Sequence, residues 1–194
     1  MQCIDEYKMS RSASYKAIAE LVNQAIPNDG RVVEFGGSNG VIETIFRELG
    51  FHGVYEVASN FPVTDIQSLT NYHDETYDVA IIDQVIEHVP DPRKAVRELK
   101  RVLKKDGWLI VTAPFLVPVH DNPRNDYWRF TETGLRKLVE GFAEIISGGW
   151  GNREFVAHVL WNGFGVKAGD WIGGGHLAKH EDRYSYTVWV FARK

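Results

Sequence analysis

The sequence contains almost no cysteine and no long hydrophobic run. Its single cysteine, Cys3, excludes a disulfide within the chain, and the polar, charged N-terminus does not resemble a signal peptide. Both features predict a cytoplasmic protein. The longest apolar run, residues 109–119, is interrupted by Pro114 and Pro118 and is too short to cross a bilayer. We therefore expect neither a disulfide-stabilised fold nor a membrane-spanning one.

An excess of basic residues is also missing. The 194 residues include 22 Lys and Arg and 26 Asp and Glu, which gives a formal net charge of -4. This balance does not favour polyanions such as DNA or RNA, so we expect a small-molecule partner. The expected assembly is a monomer or homodimer. Because 44% of the residues are hydrophobic, the sequence predicts one globular domain over residues 1–194.

Two common nucleotide-binding motifs are absent. The dinucleotide motif G-x-G-x-x-G fails, because Ser38 and Val41 stand where its second and third glycines would follow Gly36. The P-loop motif G-x-x-x-x-G-K-[ST] does not occur in the sequence. A nicotinamide oxidoreductase and a P-loop protein are therefore disfavoured.

A glycine-rich turn nevertheless connects a short apolar run to a helical pattern. Residues 32–35 have the composition of a buried strand, residues 36–40 are rich in glycine, and residues 41–49 place apolar side chains at helical spacing. Open α/β sheets bind nucleotides at such corners, because glycine lets a ligand approach the main chain closely. The turn alone is a weak indication, since glycine turns end many strands that bind nothing.

This turn resembles motif I of the class I S-adenosylmethionine (SAM) methyltransferases, which has the pattern E/D-x-G-x-G-x-G. Glu34 supplies the acid, and Gly36 and Gly40 match two of the three glycines. Ser38 replaces the middle glycine, with Gly37 beside it. A serine side chain there could crowd the amino-acid end of SAM.

A second, longer block resembles the same family. Residues 77–114, YDVAIIDQVIEHVPDPRKAVRELKRVLKKDGWLIVTAP, are similar to the pattern FDxVxxxxVLEHVxDPxxxLxExxRVLKPGG of the type-11 SAM methyltransferases. The two motifs follow in the right order over residues 31–114, and the chain is identified as a member of that group. The resemblance implies an α/β fold with a Rossmann-like, seven-stranded, mostly parallel doubly wound sheet and an antiparallel last strand.

The resemblance also implies SAM as cofactor, with S-adenosylhomocysteine (SAH) as its product. Glu56 is expected at the tip of the second strand, where an acid accepts hydrogen bonds from ribose hydroxyls. Asp65 matches an aspartate that contacts the adenine amino group. The alternatives are a solvated strand-end residue for Glu56 and a turn residue for Asp65. The implied cofactor residues are Glu34, Gly36, Gly37, Ser38, Gly40, Glu56, Val57, Asp65, Ile66, Asp83 and Gln84.

Apolar periodicity predicts the remaining elements. A helix over residues 10–26 packs before the first strand or, alternatively, contributes residues 7–15 as a flap over the cofactor. A helix starts at Pro92 and is closed by Lys104, Lys105 and Gly107. Further strands are expected at 108–114, 142–146 and 184–192, and further helices at 132–140 and 153–161. Within the single domain, residues 1–30 form the N-terminal helix or flap, and residues 115–131 and 147–183 lie on the substrate side.

The loop over residues 115–131 supplies the candidate acceptor site. A histidine side chain can take a proton from a hydroxyl or amine, so His120 is the candidate catalytic base. Arg129 could bind a carboxylate or phosphate, and Tyr127 and Trp128 could stack on a ring. The alternatives are that Arg129 pairs with Asp126, that Trp128 is core, and that His120 caps a turn.

No metal site is predicted. His176 and His180 are four residues apart, a spacing that binds metal on a helix. The glycines at 173–175 make a helix there doubtful. His88, which follows Glu87 in the long block, is expected to be structural by packing or capping.

These patterns predict a SAM-dependent methyltransferase that acts on a hydroxyl or amine of a small molecule, with sugars and secondary metabolites as candidate acceptors. The alternative is a catalytically silent SAM-binding regulatory or partner protein. SAM itself carries the activated methyl group, so such an enzyme needs no nucleophile motif.

Overall fold

The computed structural model describes residues 9–36, 40–58, 64–120, 125–162 and 179–194. Helices and strands alternate along this part of the chain. In order they are α1 (Met9–Ala25), β1 (Arg31–Phe35), α2 (Val41–Glu48), β2 (Val54–Ala58), β3 (Tyr77–Asp83), α3 (Pro92–Val102), β4 (Leu103–Pro114), α4 (Glu132–Leu138), β5 (Glu144–Trp150), α5 (Arg153–Asn162) and β6 (Thr187–Arg193). Short 3-10 turns at Ile86–His88 and Asp182–Tyr184 follow β3 and precede β6.

The strands form one mixed sheet of six strands in the order β2-β1-β3-β4-β6-β5. β1 pairs in parallel with β2 and β3, and β3 with β4, whereas β6 is antiparallel to both β4 and β5. The predicted α/β sheet with an antiparallel last strand is therefore confirmed. The predicted count of seven strands is not, because residues 64–76 between β2 and β3 contain turns and no strand, and residues 59–63 lie outside the described part.

Helices cover both faces of the sheet. On one face α1 and α2 pack on alternate residues of the central strands, including Val32, Val79 and Ile110. On the other face α3 and α4 pack on the intervening residues, including Val33, Ala80 and Leu109. Because β3 is covered on both sides, its central residues are all buried, as the continuous apolar run in the sequence predicts.

The predicted packing helix is α1, which begins and ends one residue before the expected bounds. Its predicted apolar face is buried: Tyr15, Ile18, Ala19, Leu21, Val22 and Ile26. No helix in the described residues is long and apolar enough to span a bilayer.

Two predicted boundaries are wrong. The helix that starts at Pro92 ends at Val102, because Leu103 already pairs with Tyr77 and the Lys104 ammonium donates to Asp78 over 2.7 Å. The cations expected to close the helix therefore belong to β4. Strand β5 extends to Trp150, so the first residues of the predicted 147–183 segment are in the sheet, where they pair with β6.

A charged network attaches the 64–76 segment to α3. Arg101 donates from Nη2 to the Leu69 carbonyl over 2.8 Å and from Nη1 to the Tyr72 carbonyl over 2.9 Å. Glu98 accepts from the Leu69 amide over 3.0 Å and from Arg101 over 2.9 Å. Because Arg101 hydrogen bonds favour the ionised carboxylate, the pKa of Glu98 is lowered below its ordinary value of 4.5.

We expect Glu98→Gln to lower the free energy of unfolding at pH 7 by about 1 kcal/mol, since a charge-assisted bond becomes a neutral one in a partly exposed site. A lowered pKa in the folded state stabilises the protein above the unfolded pKa and stops doing so as the pH falls through the folded pKa. The difference between the two proteins should therefore shrink below about pH 4.5. Urea unfolding of the original protein and of Glu98→Gln at pH 7 and at pH 4 measures this difference in unfolding free energy.

The matched control for this change is Glu140→Gln. Glu140 pairs with Lys137 at the same i,i+3 spacing, but both side chains are about two-thirds exposed (68% and 66%). We expect little change there at either pH. Equal losses of stability in both variants would contradict the conclusion that the network of Glu98 and Arg101 stabilises the fold more than an exposed ion pair does.

Candidate functional site

The predicted site residues follow the carboxyl ends of β1, β3 and β4, which meet at one edge of the sheet. This is the edge at which open α/β sheets bind their ligands. The sequence places them there because the apolar runs of β1 and β3 stop at Gly36 and Asp83, and β4 ends at Pro114.

The glycine turn leaves open space at the start of α2. Gly36 has φ of 113° and Gly40 has φ of 78°, so both adopt a backbone conformation that favours glycine. Gly40 is the N-cap of α2, and a Cβ added to it would meet no atom within 4 Å. An anionic or polar ligand group could approach the first amides of this helix. Gly37 and Ser38 lie outside the described residues.

Glu34 is buried one residue before the end of β1. Only 4% of it is exposed, and its Oε2 accepts a hydrogen bond from the Tyr55 hydroxyl over 2.5 Å. Burial and the neighbouring Glu34 charge raise the pKa of Tyr55. The carboxylate lies on the face covered by α1 and α2, because Glu34 alternates with Val33 on the opposite face.

Glu56 does not lie at the tip of β2, so that expectation is wrong. The strand continues to Ala58, and Glu56 pairs with Val33, which places it on the face opposite to Glu34. Its Oε2 accepts from the Tyr77 hydroxyl over 2.9 Å. Burial, followed by this bond, raises the pKa of Tyr77. The next residue, Val57, is 48% exposed.

Glu56 and Asp65 line one pocket of about 350 Å³, together with Tyr72 and Tyr77. This volume is at the lower end of the range for small-molecule sites. Asp65 also closes a turn, since its Oδ1 accepts from the Gln67 amide over 2.9 Å. Ile66 beside it is buried in the core with 6% exposure, so its side chain serves packing.

Asp83 is the last residue of β3, and both of its carboxylate oxygens accept hydrogen bonds from other side chains. Its Oδ2 accepts from Arg11 over 3.1 Å and from the Tyr15 hydroxyl over 3.0 Å, and its Oδ1 accepts from the Thr112 hydroxyl. The side chain is 7% exposed. Arg11 and Tyr15 lie one turn apart on α1, so this helix covers the end of β3. Of the proposed 7–15 flap, residues 7 and 8 lie outside the described part, and Tyr15 is a core residue.

Gln84 turns the chain sharply after β3. Its φ of 55° is unusual for a residue other than glycine. The backbone amide donates to the Thr112 carbonyl over 3.2 Å, and the side-chain amide donates to the Thr112 hydroxyl over 3.0 Å. The contacts with β4 hold this conformation, which leads directly into the Ile86–His88 turn.

Glu87 is the most unusual group at this edge. Its side chain is 0% exposed, and neither carboxylate oxygen has a hydrogen-bond partner among the described residues. Burial, with the nearby Asp83 charge, raises the pKa of Glu87 to about 8. Its backbone carbonyl accepts from the amides of Tyr127 and Trp128 over 2.9 and 3.2 Å, which ties the acceptor loop to β3.

His120, in the loop that also contains Tyr127 and Trp128, lies beside Glu87. Its Nε2 is 3.9 Å from Glu87 Oε1, and its backbone amide donates to Asp126 over 2.9 Å. Asp126 is held by both terminal nitrogens of Arg129, and this pairing lowers the pKa of Asp126 to about 2. The His120 ring also packs edge-on against His88, with ring centroids 5.2 Å apart.

The three predicted acceptor-binding residues differ in how far their side chains are already used in contacts within the protein. Arg129 donates to Asp126 and to the carbonyls of Val117 and Pro118, so its guanidinium supports the loop. Tyr127 and Trp128 are 48% and 41% exposed, so part of each ring is open to a ligand. Trp128 is oriented by a 2.8 Å bond from its indole nitrogen to a backbone carbonyl.

Comparison with known proteins identifies the family. The sequence model of a family described as a methyltransferase domain matches residues 8–141, more than two-thirds of the chain. The chain belongs to this methyltransferase family. The resemblance to class I SAM-dependent methyltransferases is therefore confirmed, and SAM is the cofactor of the family. Placement in the type-11 group stays a prediction. No curated protein matches the sequence significantly.

Solved structures share the fold of this methyltransferase. A SAM-dependent methyltransferase from Thermotoga maritima is 19% identical, with 93% of this chain and 89% of that chain covered and a TM-score of 0.57. One from Archaeoglobus fulgidus is 13% identical over 95% and 94% of the chains, with a TM-score of 0.60. Phosphoethanolamine N-methyltransferase 2 from Haemonchus contortus, in complex with SAM, is 13% identical over 94% of this chain and 52% of that one, with a TM-score of 0.59. These identities show the fold and carry no substrate over to this methyltransferase.

The structure separates the predicted cofactor residues into two groups. Glu34 and Asp83 lie on the face of α1 and α2, whereas Glu56 and Asp65 share a pocket on the other face. Sequence analysis missed Arg11, Tyr15 and Thr112 as partners of Asp83. The i,i+4 spacing of the two α1 residues places them on one helix face, but nothing local indicates a partner 68 to 72 residues away. His176 lies outside the described residues.

We expect Gly40→Ala to weaken SAM binding, because a methyl group would occupy the open space at the start of α2. It should also cost about 1 kcal/mol of stability, since alanine is strained at positive φ. Titration calorimetry with SAM and urea unfolding measure the two effects separately.

Gly50→Ala is the matched control, because Gly50 follows the same helix with φ of 92° and has only one atom, 3.9 Å away, near an added Cβ. We expect a similar loss of stability and an unchanged affinity. Equal affinities of both variants for SAM would remove Gly40 from the cofactor site.

Proposed function

We propose that this methyltransferase transfers the methyl group of SAM to a hydroxyl or amine of a small molecule. The observation that carries the proposal is the open space beside Gly40 at the start of α2, within a fold whose family uses SAM. Polar groups at the ends of three neighbouring strands accompany the glycine turn. The acidic net charge of -4 supports a small molecule rather than a nucleic acid as acceptor.

The proposed cofactor contacts follow from the chemistry of SAM. Carboxylates accept hydrogen bonds from ribose hydroxyls and from the adenine amino group, and Glu56 and Asp65 present two of them in one pocket. The exposed Val57 beside Glu56 offers an apolar contact for a ring. The backbone of the glycine turn is proposed to approach the amino-acid end of SAM.

The proposed acceptor site is the loop after β4. The partly exposed rings of Tyr127 and Trp128 support stacking on an acceptor ring. The salt bridge between Arg129 and Asp126 restrains residues 126–129, which helps to align an acceptor atom with the methyl group. His120 remains the candidate base for a hydroxyl acceptor, whereas an amine acceptor needs only to arrive neutral.

Titration calorimetry with SAM and SAH, followed by a screen for methyl transfer to sugars, phenols and amines, tests the function. We expect binding of both and turnover on at least one acceptor class. Binding without turnover on any acceptor would favour the silent SAM-binding protein instead. If neither SAM nor SAH binds, both the proposed methyltransferase and the silent SAM-binding protein are excluded.

Glu56→Gln tests the cofactor assignment. We expect SAM affinity to fall by about 1–3 kcal/mol, roughly 5- to 150-fold, because the ribose hydroxyls lose an ionised acceptor. Calorimetry measures the dissociation constant. The control is Glu144→Gln, which changes an exposed carboxylate paired with Arg193 on the edge strand β5 and should leave the affinity intact. An unchanged affinity in Glu56→Gln would exclude Glu56 from the site.

His120→Ala is expected to spare SAM affinity and to lower turnover by about 100-fold or more, the usual contribution of a positioned proton acceptor. Steady-state kinetics with the acceptor found in the screen measure this. His52→Ala, at an exposed histidine after α2, is the control and should keep full activity. Full activity of His120→Ala would exclude His120 from the chemistry.

A further inference from the structure

Glu87, His88 and His120 meet at the carboxyl edge of β3 and β4. One ligand atom from each lies within 4.8 Å of the other two. The Nε2 atoms of His88 and His120 are 3.7 and 3.9 Å from Glu87 Oε1. We call these three residues the Glu87 cluster.

From this arrangement we infer that the Glu87 cluster binds a divalent transition-metal ion of the zinc class. No such site is predicted from the sequence, since Glu87 and His88 are expected there to be structural and His120 to be a base. The inference rests on a buried carboxylate and on the orientation of two imidazole rings.

The carboxylate of Glu87 lacks the hydrogen bonds that a buried acid normally makes. It is fully buried, and both oxygens are without a partner in the described part of the chain. Leaving such a group unsatisfied is costly, so a carboxyl group in this position either carries a proton or coordinates a cation. A cation between Glu87 and the two rings would satisfy it.

The outer contacts of both histidines fix the orientation that metal binding needs. His88 Nδ1 lies 2.7 Å from the Asn125 carbonyl, and because a carbonyl only accepts, Nδ1 must carry the proton. The Nε2 lone pair then points toward Glu87. His120 Nδ1 faces the Pro118 carbonyl and Asp126 Oδ2, both at 3.4 Å, with the same consequence. Arg129, also 3.4 Å from that nitrogen, has closer acceptors in Asp126 and Pro118.

Contacts of this kind are typical of metal-binding histidines, which usually donate their second ring nitrogen to a carbonyl or carboxylate. Asn125 and Asp126 are consecutive, so one short stretch of the loop orients both rings. The site is therefore held by two elements: the turn after β3 and the loop after β4.

Distances and ligand types favour zinc over magnesium. Zinc lies about 2.0–2.2 Å from nitrogen and oxygen ligands, which places tetrahedral ligand atoms roughly 3.3–3.5 Å apart. The observed 3.7 and 3.9 Å would need to close by a few tenths of an ångström, and the separation of the two histidine ligand atoms, which is within 4.8 Å, would need to close with them. Imidazole ligands suit zinc, iron and cobalt, whereas magnesium prefers oxygen.

Three protein ligands leave a fourth position open, as in catalytic zinc sites. The side chains of His88 and His120 are 24% and 21% exposed, so the cluster is partly open to solvent. A hydroxyl of a small molecule could occupy the fourth position.

This use of the site rests on the proposed function. The cation would favour loss of the acceptor proton to water. The acceptor oxygen would then form a bond to the methyl carbon while the bond from that carbon to sulfur breaks. The electron pair of the broken bond stays on sulfur, which leaves SAH. His120 is then a ligand rather than the base, because its Nε2 lone pair cannot hold a cation and take a proton together.

The test is metal binding by the whole protein, measured without any acceptor. The protein is stripped with a chelator, and Zn²⁺ is titrated in competition with a chromogenic chelator; Co²⁺ is titrated in parallel, and its visible absorption reports the coordination geometry. We expect one equivalent of Zn²⁺, a tetrahedral or five-coordinate Co²⁺ spectrum, and no competition by an equal concentration of Mg²⁺. Failure to bind one equivalent, or preference for Mg²⁺, would overturn the inference.

Glu87→Gln keeps the shape of the side chain and removes the ionised ligand, so Zn²⁺ affinity should fall by more than about 100-fold, beyond the usual cost of losing an outer contact. His120→Ala and His88→Ala should do the same. Each substitution changes one side chain and leaves the other two ligands in place. Thermal unfolding shows which of the three variants are folded. Unchanged affinity in any folded variant of the three would overturn the inference.

The matched control is His180→Ala. His180 lies 3.2 Å from the carboxylate of Asp182, so it reproduces a histidine–carboxylate pair without the buried Glu87. We expect unchanged Zn²⁺ affinity there. Since Zn²⁺ binding is measured without SAM or acceptor, failure of the metal site and failure of the proposed methyl transfer give different results.

Discussion

The carboxylate of Asp83 connects three parts of the fold. It accepts hydrogen bonds from Arg11 and Tyr15 on α1 and from Thr112 on β4, while Asp83 itself ends β3. A charge that is 7% exposed is costly unless it is paired, so these contacts depend on one another. The position of α1 over the sheet edge, and with it the shape of the site, depends on this pairing.

Apolar patterns predicted most of the elements, because burial on a helix or strand face follows a short period. Thus α1 and the buried core of β3 agree with the sequence. The end of α3 was mispredicted, because Lys104 pairs with Asp78, 26 residues earlier, and no periodicity contains that contact. Glu56 was placed at a strand tip although the expected strand, residues 53–58, ends where β2 ends; the error was to treat a residue two positions before the end as the tip.

The sequence predicted which residues form the candidate site, but not the contacts and distances between them. The loop after β4 was identified by its polar and aromatic residues, and the structure adds that Arg129 and Asp126 hold its shape. The unusual state of Glu87 could not be predicted, because an acid between Ile86 and His88 is compatible with either a paired or an unpaired carboxylate. Only the surroundings of Glu87 in the folded chain show that partners are missing among the described residues.

The antiparallel strand β6 lies between β4 and β5, although it follows both of them in the chain. While the protein is being synthesised, β4 and β5 emerge from the ribosome before the strand that joins them, so each presents an unpaired edge during that interval. Exposed edges of this kind recruit other strands and promote aggregation. Closure of the sheet is therefore a late step whose contacts span long stretches of sequence.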